Sequence, residues 1–399
     1  MLRLFFFIIF VSAVVLAFGL AQILLLRQLN RVWWDKKWVR RSAYTLPVTG
    51  IVAIILLGVG EYNRIDWLSA VTSPVVVLAL VLELCLMFSL PVSGVFNLTE
   101  RLIERRKRSH REAPDKIADP RRRLLLRGAA ALVPVATVSF GVAGVGRAYD
   151  RAEVSLKPLK FDNLPPAMEG FRILQLSDLH LHHYVTLDDL EEILTEAATY
   201  VPDLILITGD IADDLRLLPD TLAIIAQAKA RLGSYAVLGN HEHFRGIAEV
   251  HRAFDSSEIL LLVDEAVQFE VGDSTLLLGG IDDPRSMRDI PPEYFHNSVT
   301  AAFGGALEGD FSILMSHRPD AFDTAARRGV NLTLAGHTHG GQVGFAGRSV
   351  LESSFPNSYL WGHYEKNGSH LYTSCGAGHW FPFRLGCPAE APVIELKTS

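Results

Sequence analysis

Apolar positions follow two different rhythms on either side of residue 150 of this 399-residue chain. Before it, unbroken apolar stretches at 4–26, 44–62, 70–96 and 124–146 are each of a length that crosses a hydrocarbon layer of about 30 Å as a helix. After it, short β-branched-rich runs alternate with stretches of helical period. Phe171 to Leu176 reads as a buried strand, and Leu187, Leu190, Ile193, Leu194 and Ala197 line one face of a helix that opens at Thr186, with Asp189 as its capping-box partner. Strands at 204–208 and 235–238 flank a helix at 220–232 that Gly233 stops. The rest is richer in strands, at about 259–263, 267–271, 275–281, 311–316, 331–335, 369–374 and 392–396, with a helix at 320–328. The predicted organisation is a four-span α-helical membrane region over 1–149, a linker over 150–170 containing Lys157-Pro158 and Leu164-Pro165-Pro166, and a folded domain over 171–399. Strand-helix-strand units followed by β-dominated ones predict an α/β domain of two mixed β-sheets packed face to face with helices outside, an αββα sandwich.

Charge divides the chain at the same place. The first 150 residues carry 20 Lys and Arg against 10 Asp and Glu, and the remainder 18 against 34, so a net of +10 is followed by −16. The basic residues cluster in two loops, 27–42 (Arg27, Arg31, Lys36, Lys37, Arg40, Arg41) and 97–123 (Arg101, Arg105, Arg106, Lys107, Arg108, Arg111, Lys116, Arg121, Arg122, Arg123). Two spans separate these loops, so both face the cytoplasm under the positive-inside rule. The fourth span then carries the acidic domain across: a multi-pass cell-membrane protein with an extracytoplasmic domain is expected. The first apolar stretch is too long, and followed by too many basic residues, for a cleaved signal peptide. The string Pro120-Arg121-Arg122-Arg123-Leu124-Leu125-Leu126-Arg127 before an Ala- and Gly-rich run reads equally as an internal twin-arginine signal and as an ordinary basic flank. An acidic domain is a poor match for nucleic-acid phosphates, and no nucleic-acid partner is expected. Glu83, inside the third stretch, reads as a functional intramembrane acid or as a group tucked against a neighbouring helix. Of the three cysteines, Cys375 and Cys387 are the two available for a disulfide in the exported domain.

Candidate chemistry sits in five strings: Ser-Asp-Leu-His (177–180), Gly-Asp (209–210), Gly-Asn-His-Glu (239–242), Ser-His-Arg-Pro (316–319) and Gly-His-Thr-His (336–339). Four of the five directly follow a strand-like run, and strand ends are where α/β sheets place their ligands. Asp178, His180, Asp210, Asn240, His241, His317, His337 and His339 form a donor mixture suited to two divalent metals. On an extended segment Asp178 and His180, two apart, project to one side, and so do His337 and His339. Glycines beside them leave room for close turns.

These strings, taken in order, resemble the calcineurin-like metallophosphoesterase superfamily over 171–396. Gly-His-Thr-His-Gly-Gly-Gln (336–342) and Arg384-Leu385-Gly386-Cys387-Pro388 are similar to a bacterial, membrane-associated branch that includes enzymes acting on lipid or envelope substrates. Carried over by position, the resemblance implies that Asp178, His180 and His339 bind one metal, that Asn240, His317 and His337 bind the other, and that Asp210 bridges them. The implied metals are manganese, iron or zinc. His241 is the implied general acid, with Glu242 as a partner that orients an imidazole or as a solvated neighbour. His182, His183 and His243 read as the mouth of the site or as surface, Arg318 as a phosphate contact or a structural ion pair, and His363, His379 and Arg384 as substrate contacts. Trp361, Tyr364, Trp380, Phe381 and Phe383 read as the edge of the core or as an apolar lip for an acyl chain. The expected function is metal-dependent hydrolysis of a phosphoester, with an envelope, lipid-linked or wall-polymer substrate. Two alternatives stand beside it: a membrane sensor or transport accessory using the fold as a binding module, and a sugar-nucleotide lipid pyrophosphatase. The second needs a cytoplasmic site, against the charge map.

Overall fold

In the computed structural model the chain divides into two compact units, Met1–Gly146 and Arg147–Ser399. The structure describes residues 2–109, 120–286, 290–291, 293–304, 309–355, 358–379 and 381–399; Arg111, Lys116 and Trp380, named above, lie outside them.

In the first unit the helices Leu2–Gln28, Lys37–Asn63, Asp66–Ser109 and Pro120–Arg147 are long and apolar enough to cross a membrane. The third runs for 44 residues, well past the apolar stretch 70–96 and into the basic segment. Helices suit this setting because they satisfy their own backbone polar groups where no water can. Several buried polar side chains pair with groups far along the sequence. The Gln22 amide donates to the Glu83 carboxylate and, at 3.0 Å, to the Glu83 carbonyl. Ser93 and Asn97 donate to the Asn30 side-chain oxygen at 3.0 and 2.6 Å. Glu83 is thus tucked against a neighbouring helix, one of its two expected states.

The second unit contains two six-stranded mixed sheets. One has the order β1-β14-β2-β3-β4-β5, from β1 (Glu153–Phe161), β2 (Arg172–Leu176), β3 (Leu204–Thr208), β4 (Ser234–Val237), β5 (Leu260–Leu261) and β14 (Glu390–Thr398). The other has the order β12-β13-β9-β8-β7-β6, from β6 (Glu265–Val271), β7 (Ser274–Gly280), β8 (Phe311–Met315), β9 (Leu332–Ala335), β12 (Gly362–Lys366) and β13 (Ser369–Thr373). Ile173, Leu206 and Val237 of the first meet Leu278, Ile313 and Leu334 of the second in the central core. The opposite face of the first sheet packs on the helices Leu187–Ala198, Leu218–Gln227 and Ile247–Asp255. The second sheet is covered by Tyr294–Phe303 and Phe322–Arg328. This is the expected αββα arrangement, and the Thr186/Asp189 capping box is present as read.

The expected linker is corrected by the structure. Residues 153–161 form β1, paired in parallel with β14 along its whole length. Pro158 argued against a strand, but β1 is the edge of its sheet, where a missing N–H leaves no ladder bond unmade. β12 was also unread, because Gly-His-Tyr-Glu-Lys shows no apolar alternation. The helix expected over 220–232 stops at Gln227, and a turn at 228–233 leads into β4.

Candidate metal centre

Five strands of the two sheets end on the candidate residues. β2 runs into Ser177-Asp178, β3 into Gly209-Asp210 and β4 into Leu238-Gly239-Asn240, while β8 leads to Ser316-His317 and β9 to Gly336-His337. At these ends the backbone turns left-handed, with φ of +50° at Asp178, +46° at His180, +52° at Asp210, +69° at His337 and +48° at His339. The extended geometry expected for Asp178/His180 and His337/His339 is therefore absent; the turns bring Asp178 and His180 together and send His337 and His339 into different groups. Such conformations cost non-glycine residues of order 1–3 kcal/mol each and persist only where surroundings over-determine them. Here the Asp178 N–H donates to the Gly209 carbonyl at 3.1 Å, the His180 N–H to Asp210 at 3.0 Å, and the Gly378 N–H to Asp178 at 2.8 Å. The Asp178 carboxylate accepts from the Ser177 hydroxyl at 2.6 Å and the His337 N–H at 3.0 Å. Glycine is required at 239 and 336, since a Cβ there would run into the carboxylates of Asp210 and Asp178.

The side chains converge in two groups. In the first, His180 and His339 face each other Nε2 to Nε2 at 3.2 Å, with Asp178 Oδ1 3.3 Å from His339 Nε2. In the second, His337 Nδ1 lies 3.1 Å from His317 Nε2, which is 3.3 Å from both Asn240 Oδ1 and Asp210 Oδ2. The same Asp210 Oδ2 lies 3.6 Å from His180 Nε2 and so stands between the groups. Asp178, His180, Asp210, Asn240, His317 and His339 are buried. Imidazole nitrogens opposed at hydrogen-bond distance beside carboxylates in a dry interior form a donor set that divalent ions fit.

Electrostatics follow from that crowding. Burial pushes the Asp210 carboxyl up, but His317 and His180 outweigh it and hold it well below the usual carboxylate range. Burial likewise opposes the charge on His317, but Asp210 and Asp178 push it up to about 10. Burial drives His337 and His339 well down, helped by His317 for the former and His180 for the latter.

His241 stands at the mouth, lining with Asp210, Asn240, Phe244, His337, His339 and Gly341 a cavity of about 460 Å³. Its Nδ1 lies 2.5 Å from Asp213 Oδ1, and the other oxygen of Asp213 is 3.5 Å from His180 Nδ1. Asp213 was missed in sequence, although Gly-Asp-Ile-Ala-Asp (209–213) carries a second acid three residues after the first. Despite burial, His180 and His241 hold Asp213 well below the usual carboxylate range.

Several readings are corrected. Glu242 orients no imidazole: its carboxylate accepts the backbone N–H groups of Asp210, Ile211 and Gly239 at 3.0, 2.7 and 2.8 Å, clamping two ligand loops. Arg318 makes the structural ion pair, 2.6 Å from Asp283. Arg384 is fully buried, donating to the carbonyls of Cys375, Gly376, Gly378 and Pro388, and shapes a loop instead of touching substrate. His363 stacks on His370 of β13, with Nε2 2.8 Å from His370 Nδ1. His379 is buried against Tyr149 and Tyr184. His243 is held by Asp282 at 2.8 Å, and the rings of His182 and His183 pack edge to face. Trp361 is core, grouped with Cys375 and Cys387, and both cysteines are free buried thiols.

Carboxylates, an amide and imidazoles gathered at strand ends of an αββα sandwich make a metal-dependent phosphoesterase. The calcineurin-like phosphoesterase family model matches residues 171–341. The chain is 31% identical over 278 residues to the metallophosphoesterase YkuE of Bacillus subtilis, spanning 64% of this chain and 92% of that one. It is 28% identical to the Bos taurus transmembrane protein with metallophosphoesterase domain, over 70% of this chain and 65% of that one. With the metallophosphoesterase Cj0846 of Campylobacter jejuni it shares 25% identity over 98% of this chain and 99% of that one. The chain belongs to the calcineurin-like metallophosphoesterases, a family that works with a dinuclear metal centre.

Proposed function

We propose that this is a membrane-tethered hydrolase that works at two divalent ions, manganese, iron or zinc, on the extracytoplasmic side, and cleaves a lipid-linked or other envelope phosphoester. The supporting observation is the convergence of seven donors into two groups that share Asp210. Asp178, His180 and His339 would hold one ion and Asn240, His317 and His337 the other, with Asp210 shared between them. When bound, the ions supply Lewis-acid activation of water and neutralise charge on the phosphoryl oxygens. His241 donates a proton to the leaving oxygen, with Asp213 fixing its ring through Nδ1 so that Nε2 carries the proton toward substrate. Ser177 and the His337 N–H hold the Asp178 carboxylate in place, and the Glu242 clamp fixes the loops that present Asp210 and Asn240.

The two basic loops support the outward orientation, and Arg121-Arg122 at the start of the last apolar helix supports export as a folded domain, with metals loaded beforehand. The test is the purified full chain with manganese, given bis-p-nitrophenyl phosphate and phosphoesters resident in nanodiscs. Turnover that chelation abolishes is expected. Tight metal binding without hydrolysis of any ester would sink the reading and favour a binding module. A reporter fused after Ser399 that scores as cytoplasmic would reverse the orientation.

A further inference from the structure

Among the described residues of the second unit, eight large apolar side chains are more than a third exposed, and four of them, Phe345, Val350, Leu351 and Phe355, fall within eleven consecutive positions. These four belong to a small hairpin and the turn after it. Gly344–Phe345 (β10) pairs with Arg348–Ser349 (β11) across a two-residue turn in which Ala346 and Gly347 have φ of +50° and +79°. That left-handed pair matches the strand twist and lifts Phe345, 79% exposed, to the tip. The hairpin grows directly from the ligand loop that holds His337 and His339, and Leu351 lies on Gly341, which lines the catalytic cavity. Phe244, also exposed, stands on the cavity wall beside His241. The mouth of the metal centre is therefore bordered by apolar side chains that the domain core does not use.

An apolar rim of this kind marks an interaction surface, and the chain itself points to its occupant. Only residues 148–152 separate the end of the last apolar helix from β1. Within the second unit Tyr149 packs against Tyr184 and His379, 6.2 and 6.3 Å between ring centroids. His379 follows Gly378, whose N–H donates to the Asp178 carbonyl, so the chain enters the domain at the metal-ligand edge. Arg348 at the hairpin lies over Tyr364 at 4.5 Å and pairs with Glu352 at 3.5 Å, so the segment carries a charged pair beside its apolar tip, the amphipathic character of a segment that sits at a headgroup boundary.

We propose that the 343–355 hairpin inserts into the lipid bilayer and seats the metal centre on the membrane surface, so that the substrate class is a phosphoester carried at the headgroup level of a lipid. The inference rests on the membrane tethering of the preceding reading and not on its chemistry. A cytoplasmic orientation would change the leaflet and leave the contact intact.

The test places a nitrobenzoxadiazole fluorophore at Phe345→Cys in the full chain, reconstituted in nanodiscs of phosphatidylcholine and phosphatidylglycerol. Val201→Cys, 74% exposed and remote in sequence from the site, is the aqueous control, and the labelled parent chain corrects for Cys85, Cys375 and Cys387. The expected result is blue-shifted emission at 345, quenched by doxyl-labelled lipid at a depth of about 5–10 Å below the headgroup boundary and protected from aqueous iodide. Iodide quenching equal to that at 201 would overturn the proposal. So would shielding from both quenchers, which would mean that protein covers the hairpin. Hydrolysis of bis-p-nitrophenyl phosphate by the same sample separates the outcomes: turnover with a wet hairpin defeats the insertion alone, and an inserted hairpin without turnover defeats the hydrolase reading alone.

Discussion

In the membrane unit the buried carboxylate Glu83 meets a neutral amide from the adjacent helix, whereas the second unit gathers Asp178, Asp210, Asp213 and Glu242 into one buried neighbourhood of imidazoles and backbone donors. The difference shows how two solvents set the use of polarity. Lipid offers no compensation for charge, and the pairing of Gln22 with Glu83 and of Asn30 with Ser93 and Asn97 serves packing. The second unit concentrates carboxylates and imidazoles at strand ends held in strained turns. Concentration of that kind marks a functional site and is poorly explained by folding stability.

The comparison can be broken most severely at Asp210, the group shared by both donor sets. Asp210→Ala is expected to lose both ions and reduce turnover to background; retention of two ions per chain by mass spectrometry would remove it from the bridge. His241→Ala is expected to keep the metals and lose about 10²–10⁴-fold in turnover with poor leaving groups. Full activity on an alkyl phosphate would end its role as acid. Asp213→Asn, which acts through His241 and His180, should cost about 10–100-fold and move the pH profile, and metal content separates its two contacts.

Smaller effects test stability on both sides. His379 is held down at about 3 by burial and then by Arg384 and His180, below the ordinary imidazole value of 6.5. Below pH 6.5 the unfolded chain takes up a proton that the folded chain refuses. Stability therefore falls with pH, by about 1.4 kcal/mol per unit until the folded value is reached. His379→Phe should flatten the acid side of the melting curve, and an unchanged slope would contradict the assignment. Gln22→Ala, in the membrane unit, is expected to cost about 0.6 kcal/mol, with thermal melting in detergent as the measure and ester turnover unmoved. A loss of turnover comparable to that of Asp213→Asn would show that the two units are not energetically separate.

Much of the fold was legible because its signals are local. Four unbroken apolar runs, a capping box at Thr186 and Asp189, and strand runs ending in polar strings each depend on neighbours a few residues apart. β1 and β12 were not legible. β1 carries a proline that an edge position tolerates, and edge position is a property of the whole sheet. At the site, residue types in order marked eight candidates, and the structure brings all eight together. The tasks of their neighbours were hidden: Glu242 sits next to His241 in sequence, yet Asp213, 28 positions earlier, meets the ring.

By itself, then, the sequence determined the two-part organisation, the αββα class and the chemical character of the donors, because periodicity and residue type are written along the chain. Tertiary structure alone decided which carboxylate partners which imidazole, that Glu242 and Arg384 grip backbone, and that exposed apolar surface lies at 345–355 while Trp361 is core. The physical reason is that burial and pairing belong to positions in space. A side chain becomes a ligand, a clamp or a membrane contact according to what the fold places within a few ångströms of it.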